Sequence, residues 1–261
     1  MSIASTNKNI NIVWFKRDLR INDHAPLFDA SMQNLPLLPL YVVEPNYWEM
    51  EFSSRRHWYF IHDCLSSLNA ELSNLGQPLI VQVGDVIERL KKINQLFNVQ
   101  SIFSHEETGN NWTYERDKKV QTWCKNNNIK LCEYPSNGVV RRLSSRNEWS
   151  KIRNKRMSDK IIPKPSKLNP LQKCVYKEFP SKTDIIFGDN IIGRVQEGGR
   201  QKAVKDLKSF LNDRSRNYLH HISAPGQSEK YCSRLSTHLT WGTLSVREVV
   251  QSIKKRRLQL S

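Results

Sequence analysis

The sequence has no apolar run approaching the roughly 20 residues needed to cross a bilayer. Residues 1–9 are polar and lack the apolar core of a secretory leader. The 5 cysteines, at positions 64, 124, 132, 174 and 232, are odd in number and scattered, with no Cys-x-x-Cys pair. That argues against a disulfide framework, a zinc site and an iron–sulfur site, and a reducing cytoplasm is the expected setting. Internal repeats and low-complexity tracts are missing as well. Acidic residues are scarce in one half only. Residues 141–261 hold 27 Lys/Arg against 10 Asp/Glu, whereas residues 1–140 hold 14 against 15. The whole net charge of +16 therefore sits in the second half, which points to a polyanionic partner, nucleic acid before membrane.

What is present in the first half is regular alternation. Apolar runs at Asn11–Phe15, Leu35–Val43, Leu79–Val83, Val99–Phe103 and Ile129–Tyr134 read as buried strands. Between them lie helical patterns. One is capped by Asn22 or Asp23 and runs to about Ser31. A long one opens at Ser53 or Ser54, with Trp58, Ile61, Leu65, Leu68 and Leu72 on one face, and ends at Gly76. A third carries Val86, Leu90, Ile93 and Phe97, and a fourth covers Asn111–Asn127. Strands alternating with helices predict a doubly wound α/β unit with a parallel sheet over residues 1–140. Its first strand-to-helix turn, Lys16-Arg17-Asp18-Leu19-Arg20, has no glycine, which excludes a dinucleotide fingerprint there. Arg17, Asp18 and Arg20 are expected to pair within the loop and pin the sheet's carboxyl edge. His105, Glu106 and Glu107 lack the spacing for two ligands on one helical face, and no metal site is expected.

Residues 141–192 form a basic, proline-containing connector, with Pro163, Pro165, Pro170 and Pro180 breaking any periodicity. Arg141, Arg142, Arg146, Lys151, Arg153, Lys155 and Arg156, the last four on a predicted basic helix, are the nucleic-acid candidates. From 193 onward the chain reads as helical. Ala203, Leu207, Phe210 and Leu211 face inward after Gly198-Gly199, and a last helix starts at Ser245 and ends in Lys254-Lys255-Arg256-Arg257. Between these helices lies Tyr231–Ser245, where Ser233, Arg234 and Ser236 crowd a helix start that Gly242 stops. Free N–H groups and a positive dipole end make such a start a natural phosphate seat.

Ile12-Val13-Trp14-Phe15-Lys16-Arg17-Asp18-Leu19-Arg20-Ile21-Asn22-Asp23 resembles the opening signature of the photolyase/cryptochrome family. His105–Tyr114 and Asn137–Leu143 resemble its bacterial photolyase branch, and Ser233–Ser245 is similar to its flavin-binding segment. The resemblance covers nearly the whole chain. It implies an antenna-type α/β domain, a connector and a helical domain that binds FAD. It also implies light-driven electron transfer from reduced FAD to pyrimidine dimers in UV-damaged DNA, a carbon–carbon lyase reaction. Tyr218 matches the tyrosine that contacts the flavin, and Cys232, Ser233, Arg234, Leu235 and Ser236 match the stretch that holds its diphosphate. The cofactor carries the chemistry, so no catalytic acid–base dyad is expected. A second, light-harvesting chromophore near the 105–107 loop is implied, of unspecified identity.

Cys232 stands where the family usually has threonine, and Thr237 where proline is common. The family's helical domain continues well beyond Ser245, whereas this chain stops at Ser261. The expectation is a fragment, a truncated product or half of a split protein, inactive unless a separate chain supplies the rest. A cryptochrome-type blue-light sensor and a nucleic-acid-binding remnant without flavin stay open as alternatives.

Overall fold

The computed structural model describes residues 8–171, 179–183 and 195–259. Cys174 and the connector's residues 172–178 and 184–192 lie outside them. Five strands, β1 (Asn9–Phe15), β2 (Leu37–Val43), β3 (Ile80–Val83), β4 (Asn98–His105) and β5 (Lys130–Tyr134), form one parallel sheet in the order β3-β2-β1-β4-β5. The register pairs Val13 with Pro39 on one side of β1 and with Phe103 on the other. β2 is buried along its whole length because helices cover both faces of the sheet, as its uninterrupted apolar run requires.

The covering helices are α1 (Ala25–Ser31), α2 (Pro45–Trp48), α3 (Arg55–Asn74), α4 (Val86–Leu96) and α5 (Asn111–Asn126). One core joins Trp58, Ile61, Leu65, Leu68 and Leu72 of α3 to Val13 and Phe15. The other joins Val86, Leu90 and Ile93 of α4, together with Phe97, to Ile12 and Trp14. Both predicted stripes are therefore core stripes. The start of α1 differs from the expectation. Its cap is His24, whose Nδ1 accepts the Leu27 N–H at 3.0 Å, because Asn22 and Asp23 stand too early in a loop that turns at Asp23 (φ +49°). The short α2 carried no periodic signal.

The connector wraps the sheet where it is described. Leu168 and Leu171 are buried in the two cores, and backbone hydrogen bonds tie Leu168 to Leu75 and Leu37 to Asn169. The basic stretch forms α6 (Trp149–Ser158). The remaining helices are α7 (Arg200–Asn212), α8 (Tyr218–His221), α9 (Ser228–Tyr231), α10 (Ser236–Thr240) and α11 (Val246–Leu258). Ala203, Leu207, Leu235, Leu244 and Val249 make a third, smaller core between them. Ser245 and Glu248 form a reciprocal capping box at the start of α11. Among the described residues no helix is long and apolar enough to cross a membrane.

Candidate functional site

Among the described residues, two roomy concavities lie beside the 231–245 stretch. The first is at the carboxyl edge of the sheet, where β1 and β4 are neighbours and the winding reverses direction, the usual ligand position in open α/β sheets. The glycine-free loop after β1 fills most of this crevice with buried charge. Asp18 Oδ2 accepts from His24 Nε2 at 2.9 Å and His105 Nδ1 at 2.7 Å, and Asp18 Oδ1 accepts the Lys16 N–H. Burial opposes the Asp18 charge, but interaction with His24 and the hydrogen bonds from both histidines outweigh it, and its carboxyl lies well below the usual range. Burial pushes His105 down to about 3 and lowers His24 as well, so both are neutral donors at pH 7. Asp18, His24 and His105 are the described cluster with metal-ligand chemistry, and these two hydrogen bonds account for their approach. Lys16 pairs with Asp117 at 2.6 Å, and Arg116 pairs with Glu44, Glu107 and Asp117.

The same loop grips the C-terminal helices. The Leu19 N–H donates to the Trp241 carbonyl at 3.0 Å and Arg20 to the Gly242 carbonyl at 2.9 Å. Asp23 accepts from Ser245 Oγ at 2.5 Å and from Arg247 at 3.0 Å. Trp241 stacks on Trp48 at 6.2 Å, with the Arg17 guanidinium over its ring. Arg20 thus pins two parts of the molecule together, a longer reach than pairing within the loop. Asp18 does its pairing with histidines, and its pairing with His105 left no sequence signal because the two lie 87 positions apart. What remains open is a cavity of 180 Å³ bordered by Arg17, His105, Thr108, Asn137, Thr240 and Ser245.

The second concavity is larger, 670 Å³, within the roughly 300–1,000 Å³ typical of cofactor sites. It is lined by Gln196, Lys202, Asp206, Arg214, Lys230 and Arg234, among others. Arg214 organises its wall by donating to the carbonyls of Cys232, Ser233 and Asp206. Gln196 donates to the Arg234 carbonyl at 2.7 Å, and Arg234 has φ +62°, in the left-handed region that non-glycine residues seldom occupy. Such a conformation persists only where its surroundings enforce it, here the two side chains that hold the carbonyls on either side.

Of the residues singled out from the sequence, Arg234 lines this cleft directly. Cys232 and Ser233 present their carbonyls to Arg214, and Ser233 Oγ accepts the Leu235 N–H at 3.4 Å. The Leu235 side chain is buried in the third core and only its backbone is left for a ligand. Ser236 is exposed at the first turn of α10, whose cap is Leu235, without a side-chain acceptor. Tyr218 begins α8 with its ring edge on Phe210 at 5.5 Å. Two buried atoms beside this stretch have no hydrogen-bond partner among the described residues, Thr237 Oγ1 and His238 Nε2. His238 Nε2 lies 3.6 Å from Asp206 Oδ2. Gln196, Asp206 and Arg214 gave no sequence signal, because their role depends on a wall built from a distant segment.

The basic candidates divide. Arg141 is paired with Glu133 at 2.9 Å and with Glu106 at 3.5 Å, and Arg156 donates to the carbonyls of Asn137 and Val139. Arg142, Arg146, Lys151 and Lys155 are exposed, and Arg153 is half-buried.

Comparison with known proteins fits this geometry. A tomato (Solanum lycopersicum) chloroplastic/mitochondrial cryptochrome DASH is 28% identical over 138 residues, 51% of this chain and 23% of the relative. The solved cryptochrome of Synechocystis matches with a TM-score of 0.79 at 19% identity, covering 98% of this chain and 57% of that one. An archaeal photolyase from Sulfolobus tokodaii, solved with two FAD molecules, matches with a TM-score of 0.69 at 22% identity, over 96% of this chain and 57% of that one. The chain thus spans little more than half of these solved structures and about a quarter of the tomato relative. Residues 11–148 match the DNA photolyase family model, more than half of the 261 residues, and the chain belongs to the photolyase/cryptochrome family.

Proposed function

We propose that this chain is the flavin-gripping part of a deoxyribodipyrimidine photolyase-type enzyme. In this reading residues 1–140 are its antenna-type domain, 141–192 its connector and 193–261 the opening of its helical flavin domain. The observation that carries the reading is the 670 Å³ cleft lined by Arg234, beside a backbone stretch that Arg214 holds in place. The residues fit a flavin dinucleotide. Thr237 Oγ1 is a buried hydroxyl without a partner, and Arg234 offers a fork suited to a diphosphate. Bound FAD would supply light absorption and the electron that splits a pyrimidine dimer. The protein's own task is positional. Arg234 and the hydroxyls of Ser233, Ser236 and Thr237 would hold the diphosphate, Arg214 and Gln196 fix the wall, and Tyr218 would flank the ring system. UV-damaged DNA is the proposed substrate and the cytoplasm the proposed location.

The 180 Å³ cavity at the carboxyl edge is too small for a flavin dinucleotide and is proposed as the border of a second, light-harvesting chromophore. A cryptochrome-type blue-light sensor is the second reading, favoured by the likeness to the Synechocystis cryptochrome. The experiment is a flavin titration of the purified chain, followed by blue-light repair of dimer-containing DNA with the remaining helical domain added. Saturable flavin binding with repair supports the enzyme. Flavin bound and reduced without repair moves the reading to the sensor, and no flavin binding under either condition overturns both.

A further inference from the structure

His238 is fully buried, and its two ring nitrogens face different groups. The Thr243 hydroxyl donates to the His238 carbonyl at 3.3 Å, which leaves Thr243 Oγ1 free to accept from His238 Nδ1 at 2.9 Å. On the other side Nε2 faces Asp206 Oδ2 at 3.6 Å, just beyond hydrogen-bond contact, and has no partner among the described residues. A neutral ring with its proton on Nδ1 turns a bare lone pair toward a carboxylate. The other tautomer draws the Thr243 hydroxyl away from the carbonyl. Only the doubly protonated ring serves both nitrogens and keeps that hydroxyl in place. Its setting holds it neutral. Burial lowers the His238 pKa from 6.5, Asp206 raises it, and the Lys202 charge acts with burial. Those two charged groups come from α7, while α3 contributes the Phe60 ring at 5.2 Å. Arg200 stands one step away, donating to the Thr243 carbonyl. Lys202 Nζ holds Asp206 Oδ1 at 3.0 Å, so one carboxylate stands between an ammonium and an imidazole.

We propose, on the basis of the flavin reading above, that the cleft takes up its diphosphate-bearing ligand together with a proton, and that His238 receives it. Lys202 and Asp206 both line the 670 Å³ cleft, and the Glu197 and Glu229 carboxylates stand there too. A diphosphate entering the cleft meets Lys202 as a partner and Asp206 as a like charge. Lys202, with its side chain 32% exposed, turns from Asp206 to the ligand. A proton from solvent then binds His238 Nε2 and gives Asp206 Oδ2 a charged donor in place of the departed ammonium. No bond of the ligand changes. The loss of Lys202 from Asp206 and the added negative charge both favour the protonated ring. The bound form therefore holds more protons than the free one, and affinity falls as the pH rises. His238 acts through Asp206 and is a positioning residue.

The test is calorimetric titration of the full chain with oxidised FAD in the dark, in Pipes and in imidazole buffer at about pH 6.5. The diphosphate of FAD is a diester and does not itself titrate near neutral pH. The difference in heat between the buffers counts the protons exchanged, and uptake of up to about one per site is expected. Affinity should fall by up to about tenfold per pH unit on the alkaline side. His238→Gln, which keeps an N–H for Asp206, should show no uptake and a flat pH profile. A purely structural His238 would instead lower affinity by the same factor at every pH and leave the slope as it was. Lys202→Met checks the link without ligand: the His238 ring, followed by NMR, should titrate at a higher pH than in the parent, because the opposing charge is gone. Thermal melting shows that each variant is folded. FAD bound with no proton exchanged, or an unmoved His238 titration in Lys202→Met, overturns the proposal and leaves the flavin reading standing. FAD that fails to bind under either condition given above overturns both.

Discussion

Gly242 lies against the Arg17 carbonyl so closely that a side-chain carbon there would overlap both that oxygen and the Asp18 backbone. Its φ of +67° adds a second demand that only glycine meets without strain. The contact brings the turn after α10 onto the loop after β1, where the Leu19 N–H and Arg20 fasten it. Gly242→Ala therefore meets backbone on both counts and is expected to cost about 2–4 kcal/mol. Urea unfolding measures this, and an unchanged midpoint would show that the two segments are not held together as described.

Acid should loosen the same region. Burial lowers His105 from 6.5 to about 3 and lowers His24, and Asp18 sits well below 3.8. For all three groups the unfolded chain binds protons more readily than the folded one, so stability rises with pH across the window. The stabilisation is complete above about pH 6.5, falls as the pH drops toward 3, and changes by about 1.4 kcal/mol per unit of pKa shift. Urea unfolding at stepped pH should give a shallower dependence in His105→Asn, which removes one titrating group while keeping an N–H donor. A slope identical to the parent's would mean that His105 takes no part.

Removing the guanidinium that organises the cleft should act on flavin rather than on the sheet. Arg214→Ala frees the Cys232, Ser233 and Asp206 carbonyls, and charge-assisted hydrogen bonds of this kind are worth about 1.5–3 kcal/mol. Flavin affinity should drop by about tenfold or more. Arg214→Lys should fail to restore it, because an ammonium lacks the planar fork that spans several carbonyls. Fluorescence titration reads both variants, and full affinity in either would dissociate this wall from the cofactor.

Ser245 has two tasks, capping α11 and donating to Asp23 at 2.5 Å. Ser245→Ala loses both and leaves one oxygen of a buried carboxylate without this donor. The expected cost is about 1–3 kcal/mol, above that of an ordinary cap. Pairing it with Asp23→Asn in a double-mutant cycle should return a coupling of at least about 0.5 kcal/mol, and strict additivity would refute the link.

The parallel sheet, the core stripes of α3 and α4, and the start of α11 at Ser245 were legible because each is a local pattern. Apolar spacing and a capping residue need nothing from the rest of the chain. His24 as the cap of α1 was not legible, since a histidine caps only when its other nitrogen is held, here by Asp18. The short α2 escaped because four residues are too few to show a period.

The opening stretch of the helical part divides the same way. The residues at 231–245 announce a phosphate-seating backbone by their types, and by sequence alone the segment is a candidate. Arg214, Gln196 and Asp206, which build the wall beside it, are ordinary polar residues of other segments. Only folding brings them to the Cys232–Arg234 carbonyls, because hydrogen-bond partners are chosen by position in space. Likewise Gly242 reads as a helix stop in one dimension, and as a point of backbone contact with Arg17 only in three. Composition determined that the second half of this protein is basic. The tertiary structure decided which of those cations are paired, as Arg141 and Arg156 are, and which stay exposed, as Arg142 and Lys155 do, since pairing depends on distances the sequence does not carry.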